Sequence, residues 1–330
     1  WSTPRRHPTA DSTGYTSSRC SGSISECWSA SKRGGLMAEQ KRKRLSRLNK
    51  AILFLITSAF FFALMNLFVK LGGDLPVWQK SFFRNLVAFA IALVVLMKDH
   101  VKIRVGKGNR LFLFGRCMGG TLGILCNFYA IGQLNIADAS MLNKLSPFFA
   151  MIFSIYILKE VPKKWEWAAI LAAFAGALLV MKPSFHMESV PALLGALGGA
   201  GAGFAYTCVR RLGKGGVHGS VIVLAFSAFS CISVIPGVIL TYAPMTAFQF
   251  VSLLLAGAAA AGGQFSITAA YTKAPAKEIS VFDYTQVLFA ALLSLCVLGQ
   301  VPDLLSIAGY VIIIGTAVFK WKKGLKKKTM

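Results

Sequence analysis

Acidic residues are scarce in this 330-residue chain: 12 Asp and Glu stand against 36 Lys and Arg, a formal net charge of +24. Charged residues of both signs make up only 15%, against roughly a quarter in soluble domains. Histidine is rarer still, and His7, His100, His186 and His218 all fall in tails or between apolar segments. There is no His-Glu-x-x-His helix, no G-x-x-x-x-G-K-S/T loop, and no metal-type spacing among the seven cysteines. These absences argue against a zinc hydrolase, a disulfide scaffold and a nucleotide-driven pump, and no metal or cofactor is expected. An intramembrane enzyme would need a metal set, a nucleophile with its base, or paired carboxylates at membrane depth. The lone Asp283 has no obvious carboxylate partner.

Apolar residues are what the chain does have, at 55% of the total. They form blocks of about twenty, the length needed to cross a hydrocarbon layer of about 30 Å at about 1.5 Å per residue. Ten spans are expected, near 51–71, 78–97, 111–133, 137–158 and 165–181, then near 190–209, 221–242, 248–271, 279–298 and 304–319. The cations sit at both tails and in alternate loops: Lys98 to Arg110, Lys159 to Lys164, Arg210 to Lys214, and Lys273 with Lys277. The opposite loops, around Asp74, Asn135, Glu188, Pro244 and Asp303, are nearly free of them. Positive charge marks the cytoplasmic side, so a multi-pass protein of the cell membrane with both termini cytoplasmic is expected. The basic balance is thereby explained by orientation; no recognition motif accompanies it, and a nucleic-acid partner is not expected. The partners implied are the lipid bilayer and a small-molecule substrate, with either a monomer or a homodimer compatible.

The tails read separately. Residues 1–36 are rich in Ser, Thr, Arg and Gly and lack an apolar stretch, so neither a signal peptide nor a helix is expected there. Met37 is the expected start, which makes 1–36 a non-native or disordered extension. Residues 37–50 and 322–330 are basic cytoplasmic tails on this reading.

A repeat is visible inside the apolar region. Asp138, Ser140, Asn143, Phe149, Ala150, Val161 and Pro162 pair with Glu278, Ser280, Asp283, Phe289, Ala290, Val301 and Pro302 at one constant offset. Duplication of a unit with an odd number of spans makes the second copy enter the membrane from the opposite side. The fold class expected is therefore all-α integral membrane, ten helices in two inverted five-helix halves, 51–182 and 190–321. Such halves can exchange roles, opening a central site first to one side and then to the other.

Several short patterns resemble those of the drug/metabolite transporter superfamily, and of its EamA-type members in particular. They are Phe82-Phe83-Arg84-Asn85, Phe128-Tyr129-Ala130, Ala137-Asp138-Ala139, Ser146-Pro147-Phe148-Phe149, Glu160-Val161-Pro162, and Asp283-Tyr284-Thr285 with Leu288-Phe289-Ala290-Ala291. The resemblance implies two EamA-like repeats and carrier activity, usually export of amino acids, nucleotide-related compounds or other metabolites. Gln300 departs from it, standing where the first half has Glu160.

An ionisable side chain at bilayer depth costs at least roughly 2.5 kcal/mol by insertion scales, so each one is a functional candidate. Lys144 lies near the middle of its span. Its neighbour Asn143 aligns with Asp283, so the two halves carry polar groups at equivalent places. Lys144 and Asp283 are expected to face a central cleft, binding a charged substrate group, with Asp283 a candidate carrier of a coupling proton. A structural ion pair with no transport role is the alternative. Arg84 is placed at an outer vestibule or, like Arg116, snorkelling to the headgroups. Tyr129, Tyr284 and Gln264 complete the candidate substrate-binding set, although amides and hydroxyls also serve as helix-to-helix bonds. The carrier reading competes with a non-transporting membrane scaffold or sensor.

Overall fold

The computed structural model describes residues 24–134, 136–183, 189–299 and 302–326. The chain divides into two compact units, Trp1–Arg44 and Leu45–Met330. Most of the expected extension, residues 1–23, lies outside the described residues, as do Gln300, Val301 and the last four of the basic tail. Residues 24–36 correct the expectation: they are helical, within α1 (Ile24–Leu71). Once a long apolar helix has nucleated, each added residue gains a hydrogen bond, and the helix extends back through a Ser-rich stretch that carries no apolar run of its own.

The helices that follow are α2 (Val77–Lys98), α3 (Lys107–Gln133), α4 (Ile136–Asn143), α5 (Ser146–Leu158), α6 (Lys164–Met181) and α7 (Ser189–Lys214). After them come α8 (Gly219–Thr241), α9 (Ala247–Lys273), α10 (Ala276–Ile279), a 3-10 turn (Ser280–Tyr284), α11 (Thr285–Leu298) and α12 (Leu304–Lys326). Among the described residues, nine helical segments are long and apolar enough to cross a membrane, and no strand occurs. The region expected as the third span is α3, 27 residues long, which carries Arg110, Arg116 and Asn127 and is not among the nine.

Exposure is inverted relative to a water-soluble bundle. Leu53, Met97, Leu111, Ile239 and Leu304 are all more than half exposed, while Ser58, Gln79, Ser81, Ser227 and Ser280 are wholly buried. Apolar groups cover the outside and polar groups are drawn inside, where Ser58 bonds the Gly263 carbonyl and Gln79 the Ala243 carbonyl, as a hydrocarbon surrounding demands. The tightest packing joins α3 to α7, where glycines let backbones meet: a β-carbon added at Gly201 would lie 2.7 Å from the Gly119 carbonyl oxygen. On the other side α7 seats against α5, and Thr207 Oγ1 donates to the Ala150 carbonyl at 3.2 Å. α2 packs on α8 and on α9, and α6 packs on α12.

Two expected spans are not single helices. Between α4 and α5 the chain turns at Lys144 and Leu145, and between α10 and α11 it winds as the 3-10 turn. In the first case the cause is Pro147, which has no N–H for the Asn143 carbonyl and whose ring crowds it. The Phe148 N–H accordingly bonds Leu145 at 3.0 Å rather than reaching back to Lys144. In the second, Thr285 Oγ1 donates to the Phe282 carbonyl at 2.7 Å, a back-bond that competes with regular helix.

Candidate functional site

The two interruptions fall at the same register of the repeat, Asn143 matching Asp283, and they come together inside the bundle. Lys144 Nζ donates to Gln286 Oε1 at 2.7 Å, to Asp283 Oδ2 at 3.1 Å and to the Asp283 carbonyl at 3.3 Å. Tyr284 returns the bond: its hydroxyl donates to the Lys144 carbonyl at 3.0 Å. That carbonyl is the one the Pro147 break releases from Phe148. Each broken helix therefore satisfies a carbonyl of the other, and irregular backbone at membrane depth is stable only where protein supplies such partners. Lys144 and Asp283 keep just 12% and 9% of their side-chain surface, so the pair is shielded from bulk water. Tyr284 is wholly buried, its ring edge-on to Phe174.

Arg84 and Arg116 depart from their expected places. Neither reaches a surface: their exposures are 6% and 2%. Arg84 lies about 10 Å along α2 from Val77, and Arg116 about 14 Å along α3 from Lys107, about a third of the way along each helix. Arg116 was read as peripheral because α3 was expected to begin at Leu111; the helix starts a turn earlier and carries the residue deeper. Its Nη2 donates to Gln264 Oε1 at 2.8 Å and its guanidinium lies 3.9 Å over the Phe226 ring. Arg84 Nε points at Met65 Sδ, 3.2 Å away. The two arginines are within electrostatic range of each other and of the half-buried Tyr206, which in turn senses Asp283.

Of the remaining candidates, Gln264 belongs to this interior through Arg116, and Asn143 ends α4, half-buried. Tyr129 is 45% exposed and stands outside the bonded set. Tyr206 stands among the polar groups that the sequence offers for a pocket, Arg116 is expected there only as a snorkelling residue, and Gln286 is the one that sequence reasoning passes over. Gln286 carried a usable signal, since it lies one turn beyond Asp283 on the same face. An open apolar depression of about 330 Å³ between α3 and α8, lined by Leu113, Phe114 and Phe229, holds none of these groups.

A bundle of apolar-surfaced helices with a charged, mutually capped centre is that of a multi-pass membrane protein, and its family makes it a transporter. The chain belongs to the EamA-like transporter family, which matches residues 49–182 and again residues 190–320. It is 32% identical over 286 residues to the pseudopaline exporter CntI of Pseudomonas aeruginosa (strain UCBPP-PA14), covering 85% of this chain and 99% of that protein. It is 24% identical over 322 residues to solute carrier family 35 member G1 of Mus musculus, covering 91% and 86%. A solved crystal structure of a protein 17% identical in sequence superposes with a TM-score of 0.70 over 82% of this chain and 95% of its own, which establishes likeness of fold.

Proposed function

We propose that this protein is a secondary carrier of ten spans, two inverted five-helix halves, that moves a small metabolite across the plasma membrane by alternating access, with both termini cytoplasmic. Export is the direction favoured, in keeping with the similarity to a protein named as an exporter. Amino acids and nucleotide-related compounds are the solute classes to try first.

The observation that carries this reading is the meeting of two repeat-equivalent broken helices at Lys144, Asp283, Gln286 and Tyr284. Carriers place solute and coupling-ion sites near the midplane where discontinuous helices meet. Packing between counterparts supports a pseudo-twofold relation of the halves: α2 lies on α8 and α6 on α12, which are the second and fifth spans of the two halves. With five spans to a half, that axis lies in the membrane plane and the halves are inverted. Asp283, the acidic member at the centre, is assigned the coupling proton.

Flux in proteoliposomes tests the reading. Wild-type protein is expected to accumulate or release a solute in response to a pH gradient, Lys144→Gln to lose most of that flux, and Asp283→Asn to lose its dependence on the gradient. Wild-type rates in both folded variants would remove Lys144 and Asp283 from the mechanism. Absence of flux of any solute by the wild type would favour a scaffold or sensor.

A further inference from the structure

Arg84 and Arg116 are two buried cations, each about three turns or less into its helix, that none of the described carboxylates pairs with. The ion pairs of the interior use other groups: Asp283 is taken by Lys144 and Glu160 by Arg210 and Lys214. Lys144 and Asp283 cancel, so the centre retains the charge of both guanidiniums. Much of their hydrogen-bonding capacity is also unspent, the bond from Arg116 Nη2 to Gln264 aside. Arg84 Nη1 and Arg116 Nε are buried without a partner, and Arg84 Nε has only a thioether in front of it. The space for Arg116 is provided deliberately by the helix: a β-carbon on Gly120, one turn along α3, would collide with its Nη1.

A buried charge left unpaired costs several kcal/mol, and at bilayer depth such residues mark ligand pathways. The guanidinium fork matches the two oxygens of a carboxylate or phosphate, with charge-assisted bonds about twice as strong as neutral ones. We infer that Arg84 and Arg116 form an oxyanion-binding site and that the transported solute is an organic anion, bound through its carboxylate or phosphate groups. Gln264 orients Arg116, and Phe226 closes its other face. The inference rests on the carrier reading for the word transported; the binding site itself does not.

Thermal unfolding of the full chain in nanodiscs tests it, with succinate, citrate, inorganic phosphate and glycerol 3-phosphate as probes and succinamide as the uncharged control. At least one of the four anions is expected to raise the apparent Tm saturably while succinamide does not, and the better series names carboxylate or phosphate. Arg84→Gln and Arg116→Gln should each weaken that binding tenfold or more, Gly120→Ala should weaken it by displacing Arg116, and Lys182→Gln should leave it unchanged. If either glutamine variant fails to fold, Arg84→Lys and Arg116→Lys keep the charge without the fork and should show the same loss. No shift with any anion in folded wild type, or equal shifts in wild type and both arginine variants, overturns the site. Flux of an uncharged solute that is indifferent to both arginines would overturn the substrate class while leaving the carrier standing. Anion binding through both arginines without any flux would keep the site and overturn the carrier.

Discussion

Lys144 holds three acceptors at once, so the consequences of removing it depend on what is left behind. Lys144→Gln strands the Asp283 carboxylate, now 9% exposed, without its cation. Breaking a buried pair from one side typically costs about 3–5 kcal/mol, whereas replacing both members by neutral isosteres is often near neutral. Lys144→Gln is therefore expected to destabilise strongly, and Lys144→Gln with Asp283→Asn to recover most of the loss. Denaturant titration of the single and double variants checks this, and additive losses would mean the pair is not coupled. Recovery of stability without recovery of flux would separate a solute-binding role from a structural one. This pair was legible in the sequence, because two ionisable residues stood in apolar runs at nearly matching repeat positions. Arg116 was not, since its depth depended on where α3 begins, and a glycine-flanked loop of basic residues gave no clear start. Tyr129 illustrates a related limit of sequence: a tyrosine in an apolar helix does not reveal which face it occupies.

At the scale of elements, span lengths and the repeat could be read from apolar runs, but the two interruptions could not. Pro147 was a visible cue for the break before α5, while the 3-10 turn at Ser280–Tyr284 has no proline and is set by Thr285 and by the facing Lys144. The start of α12 shows a further device. Asp303 Oδ1 accepts the Ser306 N–H at 3.0 Å, and its other oxygen accepts Lys182 Nζ from the end of α6. These bonds, Lys182 first and Ser306 next, hold the Asp303 carboxyl down to about 2 from the ordinary 3.8. A depressed carboxylate contributes stability that is complete above its unfolded value and is lost as pH falls through the folded one. The link between α6 and α12 should therefore persist from neutral pH down to about 4 and weaken as pH falls toward 2. Hydrogen exchange at the Ser306 amide measures it. Asp303→Asn should abolish the pH dependence of that amide, and an unchanged profile in the variant would place the titrating group elsewhere. High salt should weaken the same link, because both side chains are about half exposed.

Across the whole molecule the two ends of the helix bundle are closed by unlike means. At one end Glu160, after α5 of the first half, accepts Lys214 Nζ at 2.6 Å and Arg210 Nη2 at 3.3 Å, both from α7 of the second half. Arg210 Nη1 also donates to the Thr272 carbonyl at 3.0 Å, and Lys277 Nζ to the Val161 carbonyl at 3.0 Å, so α9 and α10 are tied in. At the other end the described links between halves are the exposed Lys182–Asp303 pair and the buried Gln79, which donates to the Ala243 carbonyl at 2.9 Å and accepts the Ala243 N–H at 3.1 Å without any charge. The Glu160 carboxylate is only 12% exposed and carries two cations, whereas half-exposed pairs are worth about 0–1 kcal/mol. In the proposed alternating-access cycle one closure yields as the other forms, and the ionic tie at Glu160 is expected to favour the state closed at that end. The sequence already carried this asymmetry, since Gln300 has no charge where the first half has Glu160. Glu160→Gln leaves Arg210 and Lys214 unneutralised beside each other and should shift the population toward opening at that end. Spin labels at Lys159 and Lys273, exposed positions near that closure, should then report a longer or bimodal distance distribution. Asp303→Asn should leave the same distribution unchanged. A distribution identical in wild type and Glu160→Gln would mean that apolar packing of α5, α7 and α9, rather than charge, holds the end shut.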